Sequence, residues 1–398
     1  MVSLATVAAV AAIPVAVLWL LPLASDAASL TVRLLSRAQS VPAASRIGRR
    51  ERFLFLVPAH NEAGLIEACV RSLLGMESSR ADIRVLVVAD NCQDETAALA
   101  RAAGGEVLER RDVGSPGKPR ALEWALGRVP LAEVDAVVIL DADSVVAPGF
   151  AGGLVEQSPL QDKAVQAYFD VSNADDSWLT RLASLFVAVR YDGQFQLKQR
   201  VGLNVVLTGN GMCLGTGILA RSGWAADSLT EDLALYARLT AQGERIDFAP
   251  AAKLMSLEAG SLAQAGTQRR RWHVGRWIVL KQEALPLLLS SRVSWRQKLD
   301  ALAELSMPGP VFHVTVAVLL ALLLIGVGGS AARAVGSLFL LSTLPVLCWT
   351  LYALSRRPDR GALVRDLVKL PLYAVWRVGV AGLSLATGIR GVWKRSPR

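Results

Sequence analysis

Cysteine and histidine are scarce in this 398-residue chain. Its four cysteines, Cys69, Cys92, Cys213 and Cys348, are scattered without a Cys-x-x-Cys pair, and there are only three histidines. That argues against a zinc site or a disulfide framework, and free thiols fit a reducing cytosol. Charge is scarce too: 19% of residues are charged against 53% hydrophobic, with mean hydropathy +0.38. Such a chain is too apolar for an ordinary soluble enzyme and points to membrane segments. No zinc-finger, RNA-binding or helix-turn-helix pattern is evident. The net charge of +9 is therefore assigned to Lys/Arg beside a membrane and to anionic lipid, with no nucleic acid as partner. There is no internal repeat or low-complexity tract.

What is present falls into five stretches. Residues 2–24 carry no charged residue and are long enough to span a bilayer, so 1–30 is read as a transmembrane helix. No basic n-region precedes the run, and Arg33, Arg37, Arg46, Arg49, Arg50 and Arg52 follow it. This argues against a cleaved signal peptide and places the N-terminus outside and the next segment in the cytoplasm. From about 53 to 257 short apolar strands alternate with helical stretches, which predicts an α/β domain, taken as 50–280, with a largely parallel sheet. Residues 281–306 read as interfacial amphipathic helices. Two more spans are expected within 307–354, at 307–328 and 334–354. The last stretch, 362–398, is read as an interfacial helix and basic tail, because Arg377 in mid-segment is costly in hydrocarbon.

The residues just past strand ends in this pattern are His60, Asn61, Glu62, Asp90, Asn91, Asp141 and Asp143. Ligands of open α/β sheets bind outside the carboxyl ends of strands, so these should converge on one crevice. The strand Ala136 to Leu140 ends on Asp141-Ala142-Asp143. Two carboxylates two residues apart share a face while strand geometry lasts, and a hard cation, Mg²⁺ or Mn²⁺, would relieve their repulsion. Solvated turn residues are the competing reading. Gly117-Lys118 opens a helix and suits a diphosphate, although the pattern is not a P-loop. Thr230-Glu231-Asp232 starts another helix, where Thr230 could equally be a cap and the acids could serve the helix dipole. Gln268-Arg269-Arg270-Arg271-Trp272 is a basic run with an aromatic, alternatively a lipid contact. Trp178, Phe186 and Tyr191 have helical spacing and are read as packing residues.

Taken together, Val57-Pro58-Ala59-His60-Asn61-Glu62, Asp90, Asp141-Ala142-Asp143, Thr230-Glu231-Asp232 and Gln268-to-Trp272 resemble the motifs of membrane-bound family 2 glycosyltransferases, related to cellulose, chitin and hyaluronan synthases. The resemblance covers about residues 50–280. It implies a GT-A fold flanked by transmembrane and interfacial helices, with inverting transfer from a nucleotide sugar, expected to be a UDP-sugar. It further implies that Asp143 binds the metal and Asp141 the ribose or metal, while Lys118 supports the diphosphate. Asp90 would hold the nucleobase with the Pro58, Ala59, His60 and Glu62 loop; Ala142 and Gln268 would complete the donor site. Asp232 would be the base and Glu231 would orient it or the acceptor. Arg271 and Trp272 would close over diphosphate and acceptor, and Gly209, Asn210 and Gly211 would form a flexible backbone near the acceptor. The large synthases export polymer through many spans, and about three are expected here. The reading is therefore transfer of one or a few sugars to a lipid-linked saccharide or glycolipid at the cytoplasmic face of a bacterial-type plasma membrane. A processive synthase acting as an oligomer or with a partner is the alternative. A non-catalytic scaffold is disfavoured because every motif is intact.

Overall fold

The computed structural model describes residues 3–35, 50–224, 228–307 and 309–387. Arg37, Arg46 and Arg49, and the basic tail residues Arg390, Lys394, Arg395 and Arg398, lie outside them. After helix α1 (Leu4–Leu35), strands and helices alternate: β1 (Glu51–Ala59), α2 (Ile66–Leu74), β2 (Ala81–Asp90), α3 (Thr96–Ala102), β3 (Glu106–Arg110), α4 (Lys118–Leu126) and β4 (Ala136–Ile139). The second half holds β5 (Val145–Val146), α5 (Phe150–Val155), β6 (Ala164–Val171), α6 (Trp178–Ala188), α7 (Gln196–Val201), β7 (Met212–Gly215), α8 (Thr216–Ser222), α9 (Glu231–Ala241) and β8 (Ile246–Ser256). All later elements are helices: α10 (Leu262–Leu289), α11 (Trp295–Ser306), α12 (Pro310–Val327), α13 (Ser330–Leu341), α14 (Leu344–Arg356), α15 (Arg360–Leu367) and α16 (Leu370–Thr387).

The eight strands form one sheet in the order β3-β2-β1-β4-β7-β6-β8-β5. Its first four strands are parallel, as the alternation predicts. The other half is mixed: β7 runs antiparallel to β4 and β6, and β5 antiparallel to β8. The strands read as unbroken apolar runs because both faces are covered. In β1, Leu54 and Leu56 enter one core with Val137 and Ile139 of β4. Phe53, Phe55 and Val57 enter the opposite core with Val138 and Phe150. Each such side chain, fully buried, contributes roughly 1.5–3 kcal/mol. This rigid floor fixes where the strands stop, and so where the residues after them sit.

Three helical stretches are long and apolar enough to cross a membrane: α1, α12 and Ser330–Arg356, the last comprising α13 and α14. The α15–α16 pair also passes when taken together, but it is bent by 59° at its break. Ala9 and Ala16 of α1 meet Ala317 and Ala321 of α12, small residues that let helices approach closely. Polar bonds tie this bundle to α11 and join α1 to α14 within it. Ser25 Oγ donates to Asp300 Oδ1 at 2.8 Å, and Trp349 Nε1 to Asp26 Oδ2 at 2.7 Å. The boundary read at 280/281 falls inside the continuous helix α10. The apolar side of α11 is turned to protein, with Ala301 and Leu305 in the same core as Val279 and Leu287. Amphipathic spacing alone does not distinguish such a face from one lying on lipid.

Candidate active site

The carboxyl ends of β1, β2 and β4 open onto a crevice of about 510 Å³. It is lined by Pro58, Ala59, His60, Glu62, Asp90, Lys118, Asp141, Ala142, Asp143, Gln268 and Arg271, of which His60, Glu62, Asp90, Asp141 and Asp143 are those the strand-end argument expects there. Asn61 and Asn91 are not on its wall. They hold neighbouring loops instead, in the left-handed backbone region at φ 54° and 53°, which asparagine tolerates. Asn61 Oδ1 accepts from Gln93 N, and Asn91 Oδ1 from Asp112 N. Strand geometry does not last to Asp143. The segment Asp141–Ser144 is a turn closed by Ser144 N donating to Asp141 O, yet both carboxylates still face the crevice. They are turn residues and wall residues at once.

The two carboxylates are held differently. Lys118 Nζ donates to Asp141 Oδ1 at 2.6 Å and to the Gly209 carbonyl at 2.5 Å, and lies 3.9 Å from Glu231 Oε1. Burial works against the Lys118 charge, but Asp141 and Glu231 outweigh it and hold its pKa above the ordinary lysine value. Asp143 Oδ1 accepts from Ser256 Oγ at 2.8 Å. No cluster of three or more His, Cys, Asp or Glu suited to a metal occurs among the described residues. The pair nonetheless fits Mg²⁺ or Mn²⁺, which take one or two carboxylates and complete their shell with water and substrate phosphate.

Asp90 is 4% exposed, and both its oxygens are engaged. Arg110, at the end of β3, donates to Oδ1 at 2.6 Å, and the Gly117 amide donates to Oδ2 at 3.2 Å. Sequence reasoning missed Arg110. Reading the third strand only as Val107-Leu108 stopped short of its end, where the same carboxyl-end rule would have flagged it. His60 Nδ1 bonds the Asp90 carbonyl at 2.6 Å, so the first two strand ends are tied together.

A second cavity of about 340 Å³ adjoins the crevice, with Glu258 on the wall of both. Asp232 and Trp272 line this cavity and not the crevice. Helix α10 serves both: Gln268 and Arg271 face the crevice, while Arg269, Trp272, His273 and Arg276 face the cavity. The Arg269 guanidinium lies over the Trp272 ring at 4.5 Å. The far wall includes Pro310, Val346, Tyr373 and Arg377 from the apolar helices. Between α6 and α7 a π-helical stretch, Val189–Phe195, aims Arg190, Tyr191 and Gln194 inward. The extra residue per turn breaks the 3.6-residue pattern, so periodicity could not reveal this wall. Of the aromatic trio, Trp178 packs among buried residues of α6 and α15, whereas Phe186 and Tyr191 line the cavity.

Thr230 occupies the N-cap position of α9 but makes no side-chain cap bond; it faces the cavity, and its hydroxyl has no partner among the described residues. A Cβ on Gly275 would sit 2.5 Å from Thr230 Cγ2, so glycine is what lets α10 cross α9 here. Glu231 is buried and Asp232 beside it is half-buried at this crossing. Burial raises both pKa values; Lys118 opposes the rise in each, and Asp232 adds to it for Glu231. Gly209, Asn210 and Gly211 line neither cavity and are buried. Asn210 Oδ1 accepts from Asp141 N and its amide donates to Ser144 Oγ, so this backbone braces the aspartate turn. A Cβ on Gly209 would lie 3.2 Å from Asp232 Oδ2, which puts the turn's support directly beside Asp232.

Residues 50–275 match the family described as glycosyltransferase like family 2. The chain belongs to that family. As a family 2 glycosyltransferase it is 25% identical over 240 residues to the probable glycosyltransferase YdaM of Bacillus subtilis, covering 57% of this chain and 56% of the relative. It is 24% identical over 251 residues to a poly-beta-1,6-N-acetyl-D-glucosamine synthase of Staphylococcus aureus, covering 61% and 58%. The glycosyltransferase thus spans less than two thirds of the length of these relatives. Its GT-A-like fold is similar to that of a solved structure, mannosyltransferase PcManGT from Pyrobaculum calidifontis in complex with GDP-Man and Mn²⁺. That likeness has TM-score 0.54 and 18% identity, and covers 94% of this chain and 99% of that one.

Proposed function

We propose that this family 2 glycosyltransferase transfers a sugar with inversion from a nucleotide diphosphate sugar, a UDP-sugar by expectation, to a lipid-linked or glycolipid acceptor at the cytoplasmic membrane face. The observation that carries this is the division of α10 between two adjoining cavities, one with the strand-end carboxylates and one with Asp232. The crevice suits the donor. Asp90 and the His60 loop lie at the nucleobase end, and Lys118, Gln268 and Arg271 lie toward the diphosphate. Mg²⁺ or Mn²⁺ bound by Asp143, with Asp141 beside it, would neutralise charge gathering on the leaving diphosphate. The complex of PcManGT with GDP-Man and Mn²⁺ is consistent with a metal in this fold.

The second cavity suits the acceptor. Asp232 takes the proton from the acceptor hydroxyl as that oxygen attacks the anomeric carbon. The bond from this carbon to the diphosphate oxygen breaks, its electron pair leaves with the diphosphate, and a single displacement inverts the centre. Glu231, 3.9 Å from Lys118, orients Asp232 or the acceptor, and Trp272 offers the acceptor sugar an indole edge. Three candidate spans, with Arg33 in the last turn of the first and Arg50 and Arg52 after it, support a membrane protein with a cytoplasmic catalytic domain. The Staphylococcus relatives favour a second reading, a processive synthase working as an oligomer or with a partner.

A panel of nucleotide sugars offered to the purified protein, with and without Mn²⁺ or Mg²⁺, tests the reading. One donor should bind and turn over only with metal, and Asp143→Ala should lose both. Products carrying one or a few added sugars are expected; a long polymer would replace the leading reading by the processive one, and turnover by Asp143→Ala equal to wild type would sink the metal assignment.

A further inference from the structure

We propose that Glu258 binds the sugar being transferred, accepting a hydrogen bond from one of its hydroxyls, and so sets which sugar this glycosyltransferase moves. This rests on the reading of the crevice as donor site and of the second cavity as acceptor site, and adds the group that stands between them.

Among the described residues, Glu258 alone lines both the crevice of about 510 Å³ and the cavity of about 340 Å³. In the proposed reaction only one part of either substrate belongs to both spaces. The transferred sugar is joined to the diphosphate in the crevice before the reaction and to the acceptor in the cavity after it. A side chain on the wall of both therefore faces that sugar while the anomeric carbon changes partners.

The sheet fixes this position. Strands β6 and β8 run parallel, and their register ends at Val171 and Ser256. Ser172 N then donates to Ser256 O at 3.0 Å. Beyond that point a side chain continues the ladder. The Asn173 amide donates to Glu258 O at 3.0 Å, and Glu258 N donates to Asn173 Oδ1 at 2.9 Å. Both backbone groups of Glu258 are thus satisfied, two residues past the end of β8. Ser256, the last residue of β8, also donates to Asp143 Oδ1, so one strand end positions both a crevice aspartate and Glu258.

The carboxylate of Glu258 is left for a ligand. Its side chain is 16% exposed, and its cation is Arg269 at 3.9 Å, beyond hydrogen-bond length. No protein group hydrogen-bonds its oxygens among the described residues. Arg269 is itself laid over the Trp272 ring, so it balances charge without filling the acceptor positions of the carboxylate. Those positions, about four on an ionised carboxyl group, are open to what occupies the two spaces, and sugar hydroxyls are donors of the right kind. A third ligand for a metal beside Asp143 is the competing role. It is disfavoured because no group of three or more His, Cys, Asp or Glu suited to a metal occurs among the described residues.

The test uses the full chain in lipid nanodiscs with Mn²⁺, the nucleotide sugar that wild type turns over, the monodeoxy analogues of that donor, and the free nucleoside diphosphate. Wild type should lose about 10- to 100-fold in kcat/KM on one deoxy donor, the worth of one hydrogen bond to a charged group. Glu258→Ala should lose as much on the parent donor and no longer tell that analogue from it. Its affinities for the free diphosphate and for Mn²⁺ should match wild type. Glu258→Gln keeps the size of the side chain and should fall between the two, which serves if the alanine variant does not fold. Equal loss on every donor, deoxy analogues included, overturns the proposal. So does discrimination that follows a deoxy acceptor in place of a deoxy donor. A fall in Mn²⁺ affinity makes Glu258 a metal ligand and overturns it too. If no nucleotide sugar is consumed, the transferase reading fails. Isothermal titration of UDP- and GDP-sugars against free UDP and GDP then decides: a sugar-dependent gain in affinity that Glu258→Ala abolishes keeps the proposal, and its absence overturns it.

Discussion

As the proposed base, Asp232 must be ionised to accept a proton, and its surroundings resist that ionisation. Burial raises its pKa above the ordinary 3.8, while the Leu233 amide, Lys118 and Arg276 pull the other way without cancelling the rise. The sign of two consequences follows. Transfer should fall on the acid side as pH drops through this raised value, so the acid limb of the kcat profile should lie above that of a free aspartate. The same shift means that the folded state is penalised as pH rises past the ordinary value. Asp232→Asn should therefore abolish transfer, by at least about 10²–10⁴-fold. It should also raise the thermal midpoint at neutral pH, with the gain fading toward acid. Calorimetry at several pH values checks this; a neutral-pH midpoint lower than wild type would count against the burial argument. Which residues could be read in advance also has a physical reason. Asp90, Asp141 and Asp143 were legible because each lies at or just past the end of a strand whose apolar run marks its length. Arg377 was legible only as a cost, since the charges it joins on α10 lie about a hundred residues earlier and meet it through folding alone.

Helix α10 is fixed at its crossing with α9 by the missing side chain of Gly275. A methyl there would overlap Thr230, and overpacking of this kind typically costs about 1–3 kcal/mol. Gly275→Ala should raise the KM for donor and acceptor together; a change in only one would show that the crossing does not set both walls. Lys198, Arg190, Asp300 and Glu304 form an ionic knot, the first and third buried and the other two half-buried, joining the π-helical stretch and α7 to α11. Glu304 is held well below the usual carboxylate range: burial opposes this, but Arg190 and Lys198 prevail. Glu304→Gln takes the carboxylate from Arg190 and leaves Lys198 with Asp300 alone, and should destabilise the fold, seen as a lower denaturation midpoint in detergent. Spacing suggested an amphipathic α11. Only packing reveals that Asp300 and Glu304 on that helix are paired inside the protein.

At the scale of the whole molecule, the apolar bundle is not a detachable anchor. Helix α1 reaches α11 through Ser25 and Asp300, and α14 through Asp26 and Trp349. Removing residues 1–30 should therefore lower the thermal midpoint of the remainder instead of freeing a stable catalytic domain. A truncated protein as stable as the full chain would refute this coupling. The parallel half of the sheet was legible because alternation of strands and helices leaves few topologies. The second cavity was not, because its walls come from α6, α9, α10, α12, α14 and α16, and no local pattern announces their meeting. The two-sided α10 also bears on how such enzymes diversify. Its successive residues line different cavities, so under the proposed function a tilt that admits a new leaving group also reshapes the bed of the nucleophile. New preferences in descendants of this chain would then be inherited in matched pairs. A library randomised at 268–276 should yield variants altered toward both substrates far more often than toward one.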